Sequence, residues 1–221
     1  MADDAHELPE SKLTRTKQKW AREGRFLTGK TSRREHQRLP PGQHLTRDWP
    51  VLDLGIVPNV PVHAWRLALF GAIENPVSWD WAAFAKLPQS KFVSDIHCVT
   101  TWSRYDNQWE GLSTRDLLGA CRPREDARFV VLHSYDGYTT NLALEDFAAD
   151  DALLAHSWSG APLTAEHGGP VRLVVPHLYF WKSAKWVRRL QFIPTDAPGF
   201  WEELGYHMYG DPWREQRYAG D

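Results

Sequence analysis

The sequence predicts a mixed α/β domain built around a twisted sheet. A nearly all-apolar strand is indicated at residues 171–175, and alternation of apolar residues indicates further strands at 65–71 and 186–193. The helical patterns between the strands are short and irregular, and the sequence contains no Gly-x-Gly-x-x-Gly fingerprint. Because such helices are too short to cover both faces of a doubly wound sheet, a mixed sheet is the predicted architecture.

Several short elements are predicted along the domain between these strands. They are, in chain order, a helix capped by Ser78, a helix at 112–118 capped by Ser113, a strand at 128–133 followed by an Asp136-Gly137 turn, and a mostly helical segment at 144–154. Cys121 comes just before an Arg-Pro pair at the expected end of the second helix, so we interpret it as a structural residue.

Length and composition indicate one globular domain, with or without an arm. Of the 221 residues, 42% are hydrophobic and 24% are charged, which is typical of a chain that buries a real core. A net charge of −2 gives the whole molecule no field that favours nucleic acid or an anionic membrane. The sequence has no apolar run of membrane-spanning length, no secretory signal pattern and only two cysteines. We therefore expect a cytoplasmic protein.

Residues 1–38 are predicted to form a basic N-terminal arm, and residues 39–221 to form the domain. Between Ser11 and Arg38 there are ten Lys and Arg residues and two acidic residues. Such a stretch can bind RNA or an anionic surface, and it is also typical of a solvated helix that lies on the body of the domain. We favour the helix, because a single interleaved tryptophan does not make a stacking platform for bases.

The stretch from Val93 to Gly111 contains the more informative of the two cysteines. A short β-like approach ends in Cys98, and a polar stretch rich in aromatic residues follows, which we expect to be a loop. The thiol has three interpretations: a small buried hydrophobe, a nucleophile activated by His97, or a thiolate bound to a metal. Neighbouring side chains on a strand point to opposite faces, so His97 is a poor base for Cys98.

A cluster of cations follows the predicted strand at 171–175. Arg172 interrupts that apolar run, and Lys182, Ser183 and Lys185 come shortly after it. A guanidinium on a buried strand is costly unless an anion meets it, and clustered Arg and Lys with a hydroxyl group suit a phosphate. The cluster therefore predicts an anion site, and the alternative is a solvated basic strand end.

Five segments, taken in order, carry a resemblance to a known family. They are His97–Ser103, Trp109–Gly111, Ser134–Asn141, His167–Pro176 and Tyr179–Lys185. Together they resemble the motifs of the sulfite oxidase-like molybdopterin-dependent oxidoreductases, in particular the compact members that lack a haem domain. The resemblance runs from about Leu39 to Tyr218, which is most of the chain.

The resemblance implies a sulfite oxidase-type molybdopterin-binding domain that holds molybdenum and one molybdopterin. It implies that the thiolate of Cys98 binds the molybdenum and that the proline-rich segment after Leu39 helps to cover the pterin. The residues expected to contact the pterin or its phosphate are Ser134, His167, Arg172, Ser183, Ala184 and Lys185.

The activity implied by the resemblance is oxygen-atom transfer on a small substrate. Sulfite is one expected substrate, and the alternatives are reduction of an S-oxide such as methionine sulfoxide, or a carrier protein that holds the pterin without turnover. Arg104 and Tyr138 are the candidate catalytic residues beside Cys98, and His177 is a further candidate. The spacing of Arg104 from Cys98 differs from the family pattern, which weakens the case for sulfite. Because no haem-binding pattern is present, we expect a separate electron-transfer protein.

Overall fold

The computed structural model describes residues 38–221. The predicted basic arm lies outside the described residues apart from Arg38, so the boundary between arm and domain stays a prediction. Arg38 forms ion pairs of 2.6 Å with both Asp95 and Asp106, which tie the start of the described chain to the first sheet. Within this part of the chain, no helix is long and apolar enough to cross a membrane.

The first sheet carries the cysteine. Across residues 38–221 it has six strands, numbered in chain order with the others: β1 (His44–Leu45), β4 (Gln89–His97), β5 (Trp102–Ser113), β8 (Leu153–Trp158), β9 (Ala161–Pro162) and β10 (Arg172–Val174). β5 is the centre of this sheet, because it pairs with β1 in parallel and with β4 and β8 antiparallel. β10 pairs with β8, which places Arg172 on a strand that is buried throughout.

The second sheet contains five strands among the described residues. In spatial order they are β3 (Val77–Asp80), β2 (Arg66–Gly71), β11 (Val187–Ile193), β6 (Phe129–Ser134) and β7 (Thr139–Ala143). β11 pairs with β2 in parallel and with β6 antiparallel, so the sheet is mixed, as predicted. The alternation of the sequence is confirmed in β2, where Leu67 and Leu69 are buried and Arg66 is exposed.

The α-helices of the described part are short. They are α1 (Trp81–Phe84), α2 (Thr114–Cys121), α3 (Leu144–Phe147) and α4 (Phe200–Glu203). The predicted cap of α2 is confirmed, because the Ser113 hydroxyl accepts a hydrogen bond from the Arg115 backbone N–H at 3.2 Å. Cys121 ends this helix fully buried, and burial raises the pKa of its thiol to about 11, as suits a structural cysteine.

Ser78 does not cap α1, contrary to the prediction. Residues 77–80 form β3, which pairs with residues 66–69 of β2, so Ser78 lies inside a strand. The helix begins two residues later, where the side chain of Asp80 accepts a hydrogen bond from the Ala83 backbone N–H at 2.8 Å. The helix therefore begins later than predicted, because the residues around Ser78 pair with β2 instead.

The helical prediction for residues 144–154 is wrong over most of its length. α3 stops at Phe147, and β8 begins at Leu153. The side chains of residues 153–155 have no exposed surface, because this strand pairs with β5 on one side and with β10 on the other. A short apolar run fits a buried strand as well as a helix, and here the neighbouring strands decide.

The polar stretch after Cys98 is a strand rather than the expected loop. Only the four residues 98–101 form a turn, and β5 then runs back along β4. Alternate side chains of β5 face opposite sides, since Asn107 and Trp109 are buried while Asp106 and Gln108 are exposed. The hairpin therefore fixes Cys98 at its tip.

Two hydrophobic clusters hold the domain together. The larger one combines residues of both sheets, with Trp65, Leu154 and Leu190 among its fully buried members. The smaller one surrounds Cys98 and includes Tyr206 and Tyr218, so the aromatic C-terminal segment packs against the body, as expected. Burying a side chain of this size stabilises the fold by roughly 1.5–3 kcal/mol.

Candidate active site

One cavity brings together six separate stretches of the chain. It opens to solvent and lies beside the tip of the β4–β5 hairpin. Seven of the nine predicted site residues line it: Cys98, Tyr138, His167, Arg172, Ser183, Ala184 and Lys185. Residues far apart in sequence thus share one cavity, as a bound cofactor requires.

Cys98 is held by the backbone of the hairpin tip. Its N–H donates to the carbonyl of Trp102 at 2.8 Å, and its own carbonyl accepts from the N–H of Thr101 at 3.0 Å. Thr101 has a positive φ of 74°, which closes the turn tightly. The sulfur lies 3.1 Å from the hydroxyl oxygen of Thr100, so a hydrogen bond joins these two side chains.

His97 does not act on the thiol. Its Nδ1 lies 2.8 Å from the hydroxyl of Ser103, and the residue is buried outside the cavity lining. Burial lowers the pKa of His97 to about 4, so the ring is neutral at physiological pH. The contacts and charge of His97 therefore disfavour an activated nucleophile.

Arg172 is buried at the wall of the cavity. Its guanidinium donates to the carbonyls of His167 at 2.9 Å and Ser183 at 2.8 Å, and it lies 4.2 Å from the ring centroid of Phe180. Burial lowers its pKa to about 9, which still leaves the group charged at neutral pH. Neutral carbonyls hold the guanidinium in place but do not balance its charge.

Lys185 brings a second cation to the same wall. Its Nζ donates to the carbonyl of Glu166 at 2.5 Å, and burial, followed by the charge of Arg172, lowers its pKa to about 8. Within residues 38–221, no carboxylate lies within 4 Å of either cation. A buried guanidinium beside a partly buried ammonium favours binding of an anion.

Gly168 lets the two cations approach each other. A Cβ atom at this position would lie 2.9 Å from the Cβ of Lys185 and 3.1 Å from the Cβ of Arg172, and the residue has a φ of +100°. Any side chain here would strain the backbone and press on the segments that carry Arg172 and Lys185.

His167 joins the cavity to the N-terminal segment. Its ring stacks on Trp49 with 3.9 Å between centroids, and its Nε2 lies 3.2 Å from the Trp49 carbonyl. Its Nδ1 lies 3.0 Å from the Thr164 hydroxyl, and burial lowers its pKa. Residues 49–54 line the cavity beside it, which is where the segment expected to cover the pterin would lie.

The remaining predicted lining residues belong to two loops. The Tyr138 hydroxyl donates to the carbonyl of Trp181 at 2.7 Å, and burial raises its pKa well above the usual value. The Ser183 hydroxyl accepts from the backbone N–H of Val175 at 3.0 Å, and Ala184 is buried next to it. Both Ser183 and Ala184 lie between the two cations in the sequence, and both line the same cavity.

The structure does not bring four other candidates to this cavity. Arg104 reaches away from it: its Nε donates to the Arg47 carbonyl, and its guanidinium lies 4.7 Å from the ring centroid of Trp158. Strand β5 causes this, because a continuous strand carries residue 104 away from the hairpin tip. The buried hydroxyl of Ser134 has no hydrogen-bond partner among the described residues and does not line the cavity.

The other two candidates outside the cavity are engaged elsewhere. Lys182 pairs with Glu202 at 2.7 Å, with both side chains fully buried, so it does not join the predicted anion clamp. His177 lies 3.0 Å from an Asp146 carboxylate oxygen at the edge of the second sheet. Its position after Pro176 suggested a catalytic role, but its ring pairs with acids that lie outside the cavity lining.

Several cavity residues were missed by sequence reasoning. Trp49, Trp201 and Tyr206 come from segments with no periodic pattern, and only the folded chain places them beside the thiol. Burial, the neighbouring Tyr218 and the charge of Cys98 all raise the pKa of Tyr206, so its hydroxyl stays protonated. Asp136 also lines the cavity, and burial raises its pKa to about 6.

The donor set of this cavity fits a molybdopterin. Within residues 38–221, no group of three or more His, Cys, Asp or Glu side chains is placed to bind a metal. A metal at Cys98 would therefore take its remaining ligands from a bound group, as the dithiolene of a pterin allows. The cations Arg172 and Lys185 in the same cavity suit the phosphate of that group.

Comparisons with known proteins point in the same direction. A family model for the oxidoreductase molybdopterin binding domain matches residues 54–201. The chain is similar to the uncharacterized oxidoreductase YuiH of Bacillus subtilis (strain 168), with 46% identity over 195 residues that cover 87% of this chain and 98% of that protein. It is also 26% identical over 180 residues to MsrP, the protein-methionine-sulfoxide reductase catalytic subunit of Campylobacter jejuni, covering 71% of this chain and 58% of that relative.

One solved structure shows the same fold. The sulfane dehydrogenase SoxCD from Paracoccus pantotrophus matches with a TM-score of 0.61 and 17% identity. The match covers 88% of this chain and 56% of the SoxCD chain, so the likeness extends over nearly all of the described domain.

Proposed function

This chain belongs to the family defined by the oxidoreductase molybdopterin-binding domain, and on that premise we propose that it transfers an oxygen atom between water and a small substrate. The predicted sulfite oxidase-like family, its fold and its molybdopterin cofactor are confirmed, and the chain is an oxidoreductase. This disfavours the alternative of a carrier without turnover. The observation that carries the proposal is the single cavity lined by the Cys98 thiol and by the cations Arg172 and Lys185.

We propose specific roles for the residues that line the cavity. Cys98 is the thiolate ligand of molybdenum, and coordination would deprotonate it. Arg172, Ser183 and Lys185 bind the phosphate, while His167 and Ala184 contact the pterin. These roles are supported by the fact that all of these residues line one cavity. Among the described residues, Arg172 and Lys185 form no ion pair with a carboxylate.

The bound cofactor supplies the two-electron change and the centre that exchanges oxygen. The residues of the chain bind it, exclude water and hold protons near the reacting substrate. Reduction of an S-oxide consumes two electrons and two protons and releases the sulfide and water, and oxidation of sulfite to sulfate runs in the opposite sense. The Oη of Tyr206, which keeps its proton, is suited to donate a hydrogen bond to the substrate oxygen.

The wall around Cys98 favours a neutral substrate. Val99, Trp102 and Tyr206 cluster with the sulfur, and Trp181 and Trp201 pack against that cluster. The Arg and Lys side chains that line the cavity are those assigned to the phosphate, and Arg104 is directed elsewhere. Sulfur compounds make favourable contacts with aromatic rings, whereas a sulfite dianion needs cations.

We therefore favour reduction of an S-oxide over oxidation of sulfite. The similarity to MsrP, named as the catalytic subunit of a protein-methionine-sulfoxide reductase, supports this order. A separate electron-transfer protein as partner, and the cytoplasm as location, stay predictions.

The test begins with protein made in a host that synthesises molybdopterin. Molybdenum measured by mass spectrometry and fluorescent pterin released from the protein should both approach one per chain. Turnover is then measured with methionine sulfoxide and a reduced viologen dye, and separately with sulfite and ferricyanide. Cys98→Ser should lose molybdenum and turnover while its thermal midpoint changes little.

Cys121→Ser is the matched control, because this thiol is also buried but lies at the end of α2, away from the cavity. It should keep both molybdenum and turnover. Full activity in Cys98→Ser, or a wild-type protein without molybdenum and pterin from such a host, would reject the proposal.

A further inference from the structure

A fully buried ion pair lies directly behind the cavity wall. The Nζ of Lys182 lies 2.7 Å from the Oε1 of Glu202, and neither side chain has exposed area. Burial lowers the pKa of Lys182, and the charge of Glu202 opposes that shift. Neither residue lines the cavity, but Trp181 and Trp201, which precede them in the sequence, both do.

Lys182 joins three separate segments of the chain. Besides Glu202 on α4, it donates to the side-chain oxygen of Asn141 at 2.7 Å and to the carbonyl of Met208 at 2.5 Å. Asn141 belongs to β7, and Met208 follows Tyr206 in the C-terminal segment. The backbone carbonyl of Asn141 is a fourth acceptor at 3.1 Å, so all three N–H groups of the ammonium have partners.

Glu202 uses only one of its two oxygens. Its Oε1 accepts from Lys182, from the indole N–H of Trp181 at 2.9 Å and from the hydroxyl of Thr140 at 3.0 Å. Its Oε2 is buried and has no hydrogen-bond partner among the described residues. A carboxylate placed for stability alone would be expected to satisfy both oxygens, because an unsatisfied buried acceptor costs free energy.

A buried ion pair does not by itself show that the two residues stabilise the fold. Replacing both partners with apolar residues of similar volume is often neutral or stabilising, because desolvation offsets the attraction between the charges. The pair therefore needs another explanation, and its contacts supply one. The indole that Glu202 holds is part of the neutral wall beside Cys98.

Trp181 is the link between this pair and the cavity. Its backbone carbonyl accepts the hydroxyl of Tyr138 at 2.7 Å, and its ring meets the ring of Tyr206 edge-to-face with 5.2 Å between centroids. Fixing the indole of Trp181 consequently fixes one side of the space in which a substrate would meet Cys98. A small displacement of such a wall is expected to lower the rate, because reacting atoms must be held closely.

We infer that Glu202 is a positioning residue that orients Trp181 through its indole N–H and so shapes the substrate end of the cavity. The inference rests on the proposed function for the kinetic part of its test. Lys182 serves as the counter-charge that allows a carboxylate to remain in this buried place.

The test compares two double variants that both remove the ion pair. Lys182→Met with Glu202→Gln keeps an acceptor oxygen for the indole of Trp181, whereas Lys182→Met with Glu202→Leu removes it. If the pair serves only the fold, the two variants behave alike. If Glu202 positions Trp181, the Gln variant keeps kcat/KM for methionine sulfoxide within about twofold of wild type, while the Leu variant loses about tenfold at unchanged molybdenum content.

The same comparison in a Trp181→Phe background isolates the indole contact. There the difference between Gln and Leu at position 202 should vanish, and Trp181→Phe with the native pair should itself lose about tenfold in kcat/KM. A difference that persists with Phe at position 181, or full activity of Trp181→Phe, would overturn the inference.

Near-UV circular dichroism gives a readout that needs no turnover. The Gln and Leu variants should differ in the tryptophan bands, and Trp181→Phe should abolish that difference. Should the wild-type protein show no turnover with any tested substrate, the proposed function fails, and these spectra still decide on the positioning of Trp181. Identical spectra for the two double variants would count against it.

Discussion

The hydroxyl oxygen of Thr100 lies 3.1 Å from the sulfur of Cys98, inside the same four-residue turn. Hydrogen bonds to a ligating group typically change metal affinity 10- to 100-fold when removed. We therefore expect Thr100→Val, which keeps the shape of the side chain, to lose molybdenum about tenfold faster to a chelator. Thr100→Ser keeps a hydroxyl at this position and should keep the wild-type rate of molybdenum release. An unchanged release rate in the Val variant would contradict the role of this contact.

Removing the buried guanidinium should weaken the hold on the pterin phosphate. Charge-assisted hydrogen bonds contribute about 1.5–3 kcal/mol each, so Arg172→Ala should weaken pterin retention by about 10- to 150-fold. Fluorescent pterin that remains after gel filtration measures this directly. Arg189→Ala serves as control, because Arg189 is exposed on β11 and should not affect retention. Equal pterin in both variants would speak against the anion site.

Gly168→Ala should also weaken pterin retention, for a geometric reason. The added Cβ would press on the Cβ atoms of Lys185 and Arg172, so the cations separate. Gly160→Ala is a matched control: its φ of +79° imposes similar backbone strain, but nothing lies within 4 Å of the added atom. If both variants lose pterin equally, backbone strain rather than spacing of the cations is responsible.

The pairing of His177 predicts a pH dependence of stability. Burial lowers the pKa of this imidazole, but the hydrogen bond to Asp146 and the nearby carboxylate of Asp151, 3.9 Å away, outweigh burial and raise the pKa from 6.5 to about 9. A raised pKa means that the folded state binds the proton more tightly. The stability it contributes is complete below pH 6.5 and is lost as the pH rises through 9.

Thermal midpoints of wild type and Asp146→Asn, measured between pH 6 and pH 10, check this dependence. The wild type should exceed the variant most at pH 6, and the gap should close towards pH 10. A gap that stays constant over this range would show that His177 is not protonated in the pair.

Much of the cavity was predictable because its residues carry local signals. Arg172 stands out as a charge within an apolar strand, and Cys98 stands out as a thiol at the end of a strand, so both can be recognised without knowing the fold. Gly168 precedes the anion site and signals close backbone contact. These signals depend on a few neighbouring residues. Cys98 and Arg172 line the cavity, and Gly168 packs closely against Arg172 and Lys185.

The errors arise where strand pairing decides the outcome. The polar stretch after Cys98, up to Gly111, was predicted to be a loop, but it pairs with β4 and β8 and forms a strand. This strand carries Arg104 away from the thiol. Residues 148–154 were included in a predicted helix, but the end of this segment belongs to β8, which pairs with β10 in the first sheet. Neither partner strand is visible from the local pattern.

The residues that were missed depend on contacts between distant parts of the chain. Trp49 lies in an irregular segment, and its stacking on His167 joins positions 49 and 167. Tyr206 is one of many aromatic residues in the C-terminal segment, and nothing in its neighbours distinguishes it. Their place at the cavity follows from the packing of the whole domain.

The cavity wall is assembled from stretches between Trp49 and Tyr206, so whatever fills it bridges the two ends of the domain. A molecule held there stabilises the native state in proportion to the logarithm of its free concentration over its dissociation constant. Empty chains would accordingly open and be digested by proteases sooner than filled ones. Scarcity of the cofactor in a cell would then lower the abundance of the enzyme as well as its activity.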